Sequence, residues 1–194
     1  LCERTRDKSA LADALFTSGL LRLRMGRYDD AMRSIHEGLQ LATQAASIMD
    51  EIRGRLLYAE CEILNPNGSG ITALEQAKKA TDLARNAEAP VELVHALSLQ
   101  ARANYKLSEY SSAMHLSSQA VALTVVQPVP GQEVVYYYHG KILQVQKYMN
   151  TLARMFLIRA KDEVMRKAQL ITQEPARQTY LSVYPAVIIV RENT

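Results

Sequence analysis

The residues of this 194-residue chain that are suited to chemistry are few and widely spaced. Four histidines occur, at His36, His95, His115 and His139, and none has a second histidine or a cysteine at the spacing of metal ligands. A zinc site needs such pairs on one face of an element. The sequence therefore predicts surface or groove histidines and no bound metal.

Two other patterns that resemble catalytic or phosphate sites also lead to ordinary structure. Glu60 and Glu62 are two residues apart on a predicted helix, which separates them by roughly 200° and prevents them from acting as an acid–base pair. Gly68-Ser69-Gly70 lacks the Lys-Ser/Thr and the preceding strand of a phosphate loop, so it is interpreted as a turn. We expect no catalytic residue, no cofactor and no enzyme activity.

The elements that would position a binding site are indicated by small residues that recur in register. Three of them return 82 positions later as small residues: Gly19, Ala31 and Gly38 recur as Ala101, Ala113 and Ala120. An intermediate copy and a fainter fourth copy supply Ala59, Ala73, Ala80, Gly140 and Ala160. A unit that returns about every 41 residues is typical of a solenoid of stacked repeats.

Each unit has the apolar period of two helices joined by a tight turn, as at Gly26. Small residues at fixed positions let the two helices of a pair approach closely, and larger residues there would overpack the contact. The predicted pairs occupy residues 8–45, 48–87, 91–124 and 132–171. An ordinary antiparallel helical bundle is the alternative, although a bundle has no reason to repeat small residues in register.

The pattern resembles the tetratricopeptide repeat, in which an apolar residue, a small residue, Gly-x-Tyr, Ala and another small residue follow one another. The first copy matches it at Ala14, Leu15, Gly19, Gly26, Tyr28, Ala31, Ile35, Gly38 and Leu39. The third copy matches with Tyr110 and with Ser108 at the turn glycine. The period exceeds the roughly 34 residues of the standard repeat, the second turn (Asn65 to Gly70) is longer, and the fourth copy lacks the turn Gly and Tyr.

The end of the chain strengthens a second resemblance, to the stretched repeats of bacterial signalling ATPases, maltose-activator-like transcription regulators and kinase–ATPase fusions. The shared residues are Ala168, Ile171, Glu174-Pro175, Arg177, Tyr180-Leu181 and Pro185. They predict a long helix, then a capping helix that covers the exposed last face, within a cap at residues 173–194. The apolar residues after Pro185 fit a strand, a helical turn or a ragged end.

The two resemblances together imply an all-α, right-handed superhelix of about four antiparallel pairs plus the capping helix, in one domain over residues 1–194. Cys2 and Cys61 do not form a Cys-x-x-Cys pair, and no apolar stretch approaches 20 residues, so we expect a cytoplasmic chain with no membrane contact. The 23 basic and 20 acidic residues are interspersed, which argues against nucleic acid. The first residue is not methionine, and we expect a fragment of a larger protein.

Transferring the repeat pattern assigns the outward positions of the first helices, which would line the concave side of such a superhelix. These positions are Phe16, Leu20, Arg24, Leu56, Glu60, Arg102, Tyr105, Lys106, Tyr137 and Lys141. Apolar anchors at one end and Tyr, Arg and Lys towards the other suit an extended or helical peptide with acidic residues, with binding centred on Arg102, Tyr105 and Lys141. The alternative is that Phe16, Leu20 and Leu56 pack between hairpins.

What the resemblance implies for function is a protein-interaction or regulatory scaffold within a larger bacterial signalling or transcription-regulating protein. Its partner would be a protein or peptide, another domain of the same polypeptide, or a second copy in a homodimer. An effector-sensing domain that binds a small ligand is one alternative, and a helical enzyme with an unrecognised site is another.

Overall fold

The structure, a computed structural model, describes the backbone of residues 2–192 and the side chains of residues 7–192 except Lys147. The described residues form ten α-helices and one short 3-10 turn, without any strand. The first five helices are α1 (Cys2–Arg24), α2 (Tyr28–Gln44), α3 (Ile48–Leu64), α4 (Gly70–Asn86) and α5 (Pro90–Lys106). The others are α6 (Tyr110–Val126), α7 (Gln132–Gln144), α8 (Asn150–Gln169), α9 (Glu174–Ser182) and α10 (Ala186–Arg191).

The predicted helices, including the capping helix, are confirmed, with differences at their ends. Helix α1 begins before residue 8, and α7 stops at Gln144 and is followed by the 3-10 turn Lys147–Met149. The segment after Pro185, which the sequence left open, is the helix α10, and its Ile189 is completely buried. Residues 193–194 of the predicted cap lie outside the described residues.

The chain divides into two compact units, Leu1–Glu109 and Tyr110–Thr194, and the boundary falls inside the third predicted repeat. In the first unit, α1 packs against α2, α3 against α4, and α4 against α5, while α3 also contacts both α1 and α5. In the second unit, α7 packs against α6 and α8, and α9 and α10 both pack on α8. The single domain over residues 1–194 stays a prediction.

The first unit shows why small residues recur. A β-carbon placed on Gly38 would lie 2.6 Å from Cε1 of Phe16, and one on Gly54 would lie 2.6 Å from Cζ of the same ring. At Gly19 the β-carbon would lie 2.9 Å from Cγ1 of Ile35. Normal carbon contacts are about 3.5–4.0 Å. The prediction that Gly19 and Gly38 stand at helix crossings is therefore confirmed.

The tight turns after α1, α2, α4 and α5 each place one residue in the left-handed backbone region, and Ala46 and Glu88 take it after α2 and α4. Gly26 takes it after α1 with φ of 73°, and Ser108 takes it after α5 with φ of 64°. Ser108 thus occupies the backbone position of the turn glycine, as the repeat alignment predicted. A residue with a side chain costs roughly 1–2 kcal/mol at positive φ. The turn at Ser108 therefore stays tight at the expense of local backbone strain.

Candidate functional site

The first helices of the first unit are joined side by side by polar contacts, and we call this surface the first-helix face (Leu20, Arg24, Leu56, Glu60 and Tyr105). Near its edge, Asp13 of α1 forms an ion pair with Arg53 of α3. At its centre, Glu60 of α3 accepts from Arg24 of α1, with 3.4 Å between Oε1 and Nη1. The same Oε1 lies 3.7 Å from Nη1 of Arg102 on α5.

Burial separates the two arginines that share Glu60. The side chain of Arg102 is only 3% exposed, whereas that of Arg24 is 27% exposed and that of Glu60 is 15% exposed. The prediction that Arg102 is an outward cation at the centre of a groove is therefore wrong. A guanidinium removed from water needs a nearby anion, and Glu60 supplies it. Arg24 is left as the accessible cation of this cluster.

The predicted apolar anchors behave differently from one another. Phe16 is completely buried and fills the space between Gly38 and Gly54, so its assignment to the groove is wrong. Leu20 and Leu56 are partly buried, and each packs against core clusters while keeping some exposed surface. Tyr105 is half-buried on α5. For Phe16 the alternative, packing between hairpins, is the observed arrangement.

Lys106 donates to carbonyl oxygens at the carboxyl end of α3, a contact that the sequence analysis did not predict. Its Nζ donates to the backbone carbonyl oxygens of Glu62 at 2.8 Å, Asn65 at 3.1 Å and Ile63 at 3.4 Å. A cation at the carboxyl end of a helix satisfies carbonyl groups that have no helical partner and complements the helix dipole. The repeat period could have indicated this contact, because 42 residues separate Lys106 from Leu64 at the end of α3.

In the second unit, the two predicted groove residues hold the chain's own carboxyl-terminal segment. The hydroxyl of Tyr137 donates to Oε2 of Glu192 at 2.6 Å, and Nζ of Lys141 donates to the same oxygen at 2.9 Å. The hydrogen bond from Tyr137, followed by that from Lys141, lowers the pKa of the Glu192 carboxyl. Tyr137 is only 3% exposed, so its assignment to an open groove is wrong.

A concave surface that the sequence analysis missed lies beside α2, and we call it the α2 cleft. It has a volume of about 1020 Å³. The row Tyr28, Met32, His36 and Gln40 along α2 forms the floor and one wall, and the loop Asn65–Asn67 after α3 forms the opposite wall. The four-residue spacing of that row and the unusually long second turn are the signals in the sequence that could have indicated it.

Some of the charged side chains around the α2 cleft form ion pairs and others do not. Asp30 accepts from both Arg33 and Arg27, with 2.8 Å between Nε of Arg27 and Oδ2, and these two guanidinium groups lower the pKa of its carboxyl. Asp29 and Glu37 also line the cleft and are exposed. Neither forms an ion pair with any residue whose side chain the structure describes. With three carboxylates and two guanidinium groups in its lining, the cleft carries an excess of one negative charge.

The histidines and the buried cysteine show how burial sets proton affinity. His139 is a core residue, which corrects the prediction of a surface histidine. Its Nδ1 lies 2.9 Å from Oγ of Ser117, and burial lowers the pKa of the imidazole to about 4. Burial, with smaller contributions from Glu62, Glu60 and Asp29, raises the pKa of the Cys61 thiol to about 11.

The described residues offer neither a metal-binding cluster nor a membrane-spanning helix. In this part of the chain, no three His, Cys, Asp or Glu side chains are grouped so that they could hold a metal ion. No helix in the described ranges combines the length and the apolar character that crossing a bilayer requires.

Comparison with solved structures identifies the architecture. The chain superposes on the crystal structure of the apo form of RapI with a TM-score of 0.69, covering 90% of this chain and 69% of RapI at 13% sequence identity. The fold is a tetratricopeptide-like helical repeat. Identity at this level shows the fold alone. No protein-family profile matches the sequence, and no curated protein matches it.

Proposed function

We propose that this protein is an interaction module that binds an acidic peptide segment of a partner protein on the first-helix face and has no catalytic role. The observation that carries the proposal is Arg24, whose side chain stays 27% exposed on the first-helix face in the cluster with Glu60 and Arg102. This cluster lies where three consecutive first helices meet.

The exposure of Arg24 favours a carboxylate as the group that the partner supplies. The contacts of Arg24 and Arg102 to Glu60, at 3.4 Å and 3.7 Å, are longer than the roughly 2.7–2.9 Å typical of charge-assisted N–H···O bonds. Arg24 is the more exposed of the two arginines and directs the positive charge of the cluster towards the surface. A hydrogen bond to a charged group contributes about 1.5–3 kcal/mol. A partner's Asp or Glu would receive that contribution from Arg24.

The surroundings of the cluster provide the rest of a peptide site. Leu20 and Leu56 offer apolar surface that is already ordered by the core behind it, and Tyr105 offers a ring with a polar end. Ordered aromatic and apolar groups bind with little loss of conformational entropy. In this arrangement the apolar residues supply affinity, and Arg24 selects for acidic segments.

The wider context follows from the resemblance of the stretched repeats. We propose that the chain is a regulatory arm of a larger bacterial signalling or transcription-regulating protein that acts in the cytoplasm. The acidic segment would belong to another protein or to another domain of the same polypeptide. Nucleic acid is a poor partner, because the 23 basic and 20 acidic residues are interspersed and the net charge is only +3.

The test is a peptide selection followed by measured affinities. A phage-displayed library of random 12-residue peptides is selected on the parent protein, and enriched peptides are titrated against Arg24→Gln and Arg85→Gln. Both arginines stand in the last turn of a helix, so the two substitutions remove the same charge from the same helical position. Arg85 is exposed on α4, away from the first-helix face.

We expect acidic peptides among those enriched. Arg24→Gln should raise their dissociation constants at least about tenfold, and Arg85→Gln should leave them within about twofold of the parent's values. Circular dichroism melts check that both variants fold. If no enriched peptide is both acidic and weakened by Arg24→Gln, the first-helix face is excluded as the acidic-peptide site.

A further inference from the structure

We infer that the α2 cleft is a second, separate binding site, which takes a peptide segment of a partner protein carrying an apolar side chain beside a lysine or arginine. It lies on the second helix of the first pair, whereas the proposed acidic-peptide site lies on the first helices. The two sites use different residues and opposite charges, so either can exist without the other.

The floor of the α2 cleft is apolar and rigid. Tyr28 and Met32 are half-buried because they pack against the core cluster that contains Phe16 and Ile35. Pro66 adds a ring from the opposite wall. An apolar side chain placed on this floor would be removed from water by surfaces that need no rearrangement, at about 25 cal/mol per Å² of apolar area.

The opposite wall exists because the second turn is long. Five residues separate α3 from α4, whereas three separate α1 from α2. Hydrogen bonds hold this loop in place: the backbone N–H of Ser69 donates to Oε2 of Glu62 at 2.7 Å, and the backbone N–H of Asn67 donates to Oδ1 of Asn65 at 3.0 Å. Lys106 holds the carbonyl oxygen of Asn65 from α5. The wall is therefore ordered before any ligand arrives.

The size of the cleft fits a short extended segment. Tyr28 and Gln40 are 12 positions apart on α2, which spans about 18 Å along the helix axis. At about 3.3 Å per residue this length holds five or six extended residues. His36, Gln40 and Asn67 line the cleft with donors and acceptors that suit peptide N–H and C=O groups.

Charge decides the class of ligand. Asp30 accepts from both Arg27 and Arg33 and offsets one of their two charges, so the lining as a whole keeps a net charge of −1. Asp29 and Glu37 remain and favour a cationic group. The same carboxylates repel phosphates, which argues against nucleic acid and phosphorylated ligands. A lysine or arginine next to an apolar residue satisfies both the carboxylates and the floor.

Peptides are selected on the parent protein from the phage-displayed library of random 12-residue peptides. Each enriched peptide is then titrated against variants of the protein and classified by the substitutions that weaken its binding. The cleft variant is the double substitution Asp29→Asn with Glu37→Gln. Its matched control is Asp82→Asn with Glu88→Gln, which removes the same two charges from exposed positions outside the cleft. Arg24→Gln reports on the first-helix face, and circular dichroism melts verify the fold of all three.

We expect a class of enriched peptides that contain a lysine or arginine beside an apolar residue. Their dissociation constants should rise at least tenfold in the cleft variant and stay within twofold in the matched control and in Arg24→Gln. The inference is overturned if no enriched peptide responds to the cleft variant, if the control weakens binding equally, or if a hexalysine peptide binds as tightly as the selected ones. Loss of binding in Arg24→Gln alone would support only the acidic-peptide site.

Discussion

The substitution Gly38→Ala measures how closely the first two helices approach. The added β-carbon would lie 2.6 Å from Cε1, 2.8 Å from Cδ1 and 3.2 Å from Cζ of Phe16. The ring has little room to move, because it is completely buried and its Cζ atom lies 2.6 Å from the position that a β-carbon on Gly54 would take. Overpacking of this kind costs about 1–3 kcal/mol. Replacing glycine by alanine inside a helix returns up to about 1 kcal/mol.

The net expectation is a loss of about 1–2 kcal/mol in the free energy of unfolding, measured by urea denaturation. A double-mutant cycle with Phe16→Leu isolates the steric part. In the Phe16→Leu background the close contacts with the ring disappear, so Gly38→Ala should become neutral or stabilising, with a coupling energy of about 1–3 kcal/mol. A coupling energy near zero, or a stabilised Gly38→Ala in the parent background, would refute the reasoning.

Three further predictions concern buried side chains. Ala113 is completely buried, so Ala113→Leu should reduce the free energy of unfolding by about 1–3 kcal/mol, and an unchanged melting temperature would place it at the surface. Burial lowers the pKa of His139 from 6.5 in the unfolded chain to about 4 in the folded protein. Lowering the pH from 6.5 to 4 should therefore destabilise the protein, because the unfolded state binds the proton first. The loss should be smaller in His139→Gln, and equal pH profiles of the two proteins would contradict this. Burial raises the pKa of the Cys61 thiol to about 11. In a Cys2→Ser variant, Cys61 should therefore react with a disulfide reagent only as the protein unfolds. An immediate stoichiometric reaction under native conditions would contradict its burial.

The sequence predicted the elements well because their signal is local and repeated. Small residues at Gly19, Ala31 and Gly38 fix where helices cross, and the turn residues Gly26 and Ser108 fix where paired helices separate. Both signals depend on steric limits that act within one hairpin. The helix pairs could therefore be located without knowing how the hairpins stack.

The candidate site was harder to predict, because it depends on how each helix is rotated. Phe16 precedes Gly19 by three residues and so shares the face that packs against α2, a relation that assignment by repeat position overlooked. The repeat position of Arg102 predicts an outward side chain, although a neighbouring carboxylate permits its burial. The α2 cleft depends on the path of the Asn65–Gly70 loop, and no helical period encodes that path.

We propose above that the first-helix face binds an acidic peptide. The most direct measurement is a titration of ¹⁵N-labelled protein with an acidic peptide from the selection, followed by amide chemical shifts. We expect the largest shifts to cluster around Arg24, Leu56 and Tyr105, and we expect Arg24→Gln to reduce them strongly at a peptide concentration near the dissociation constant of the parent. Shifts that are confined to the α2 cleft, or that persist unchanged in Arg24→Gln, would contradict it.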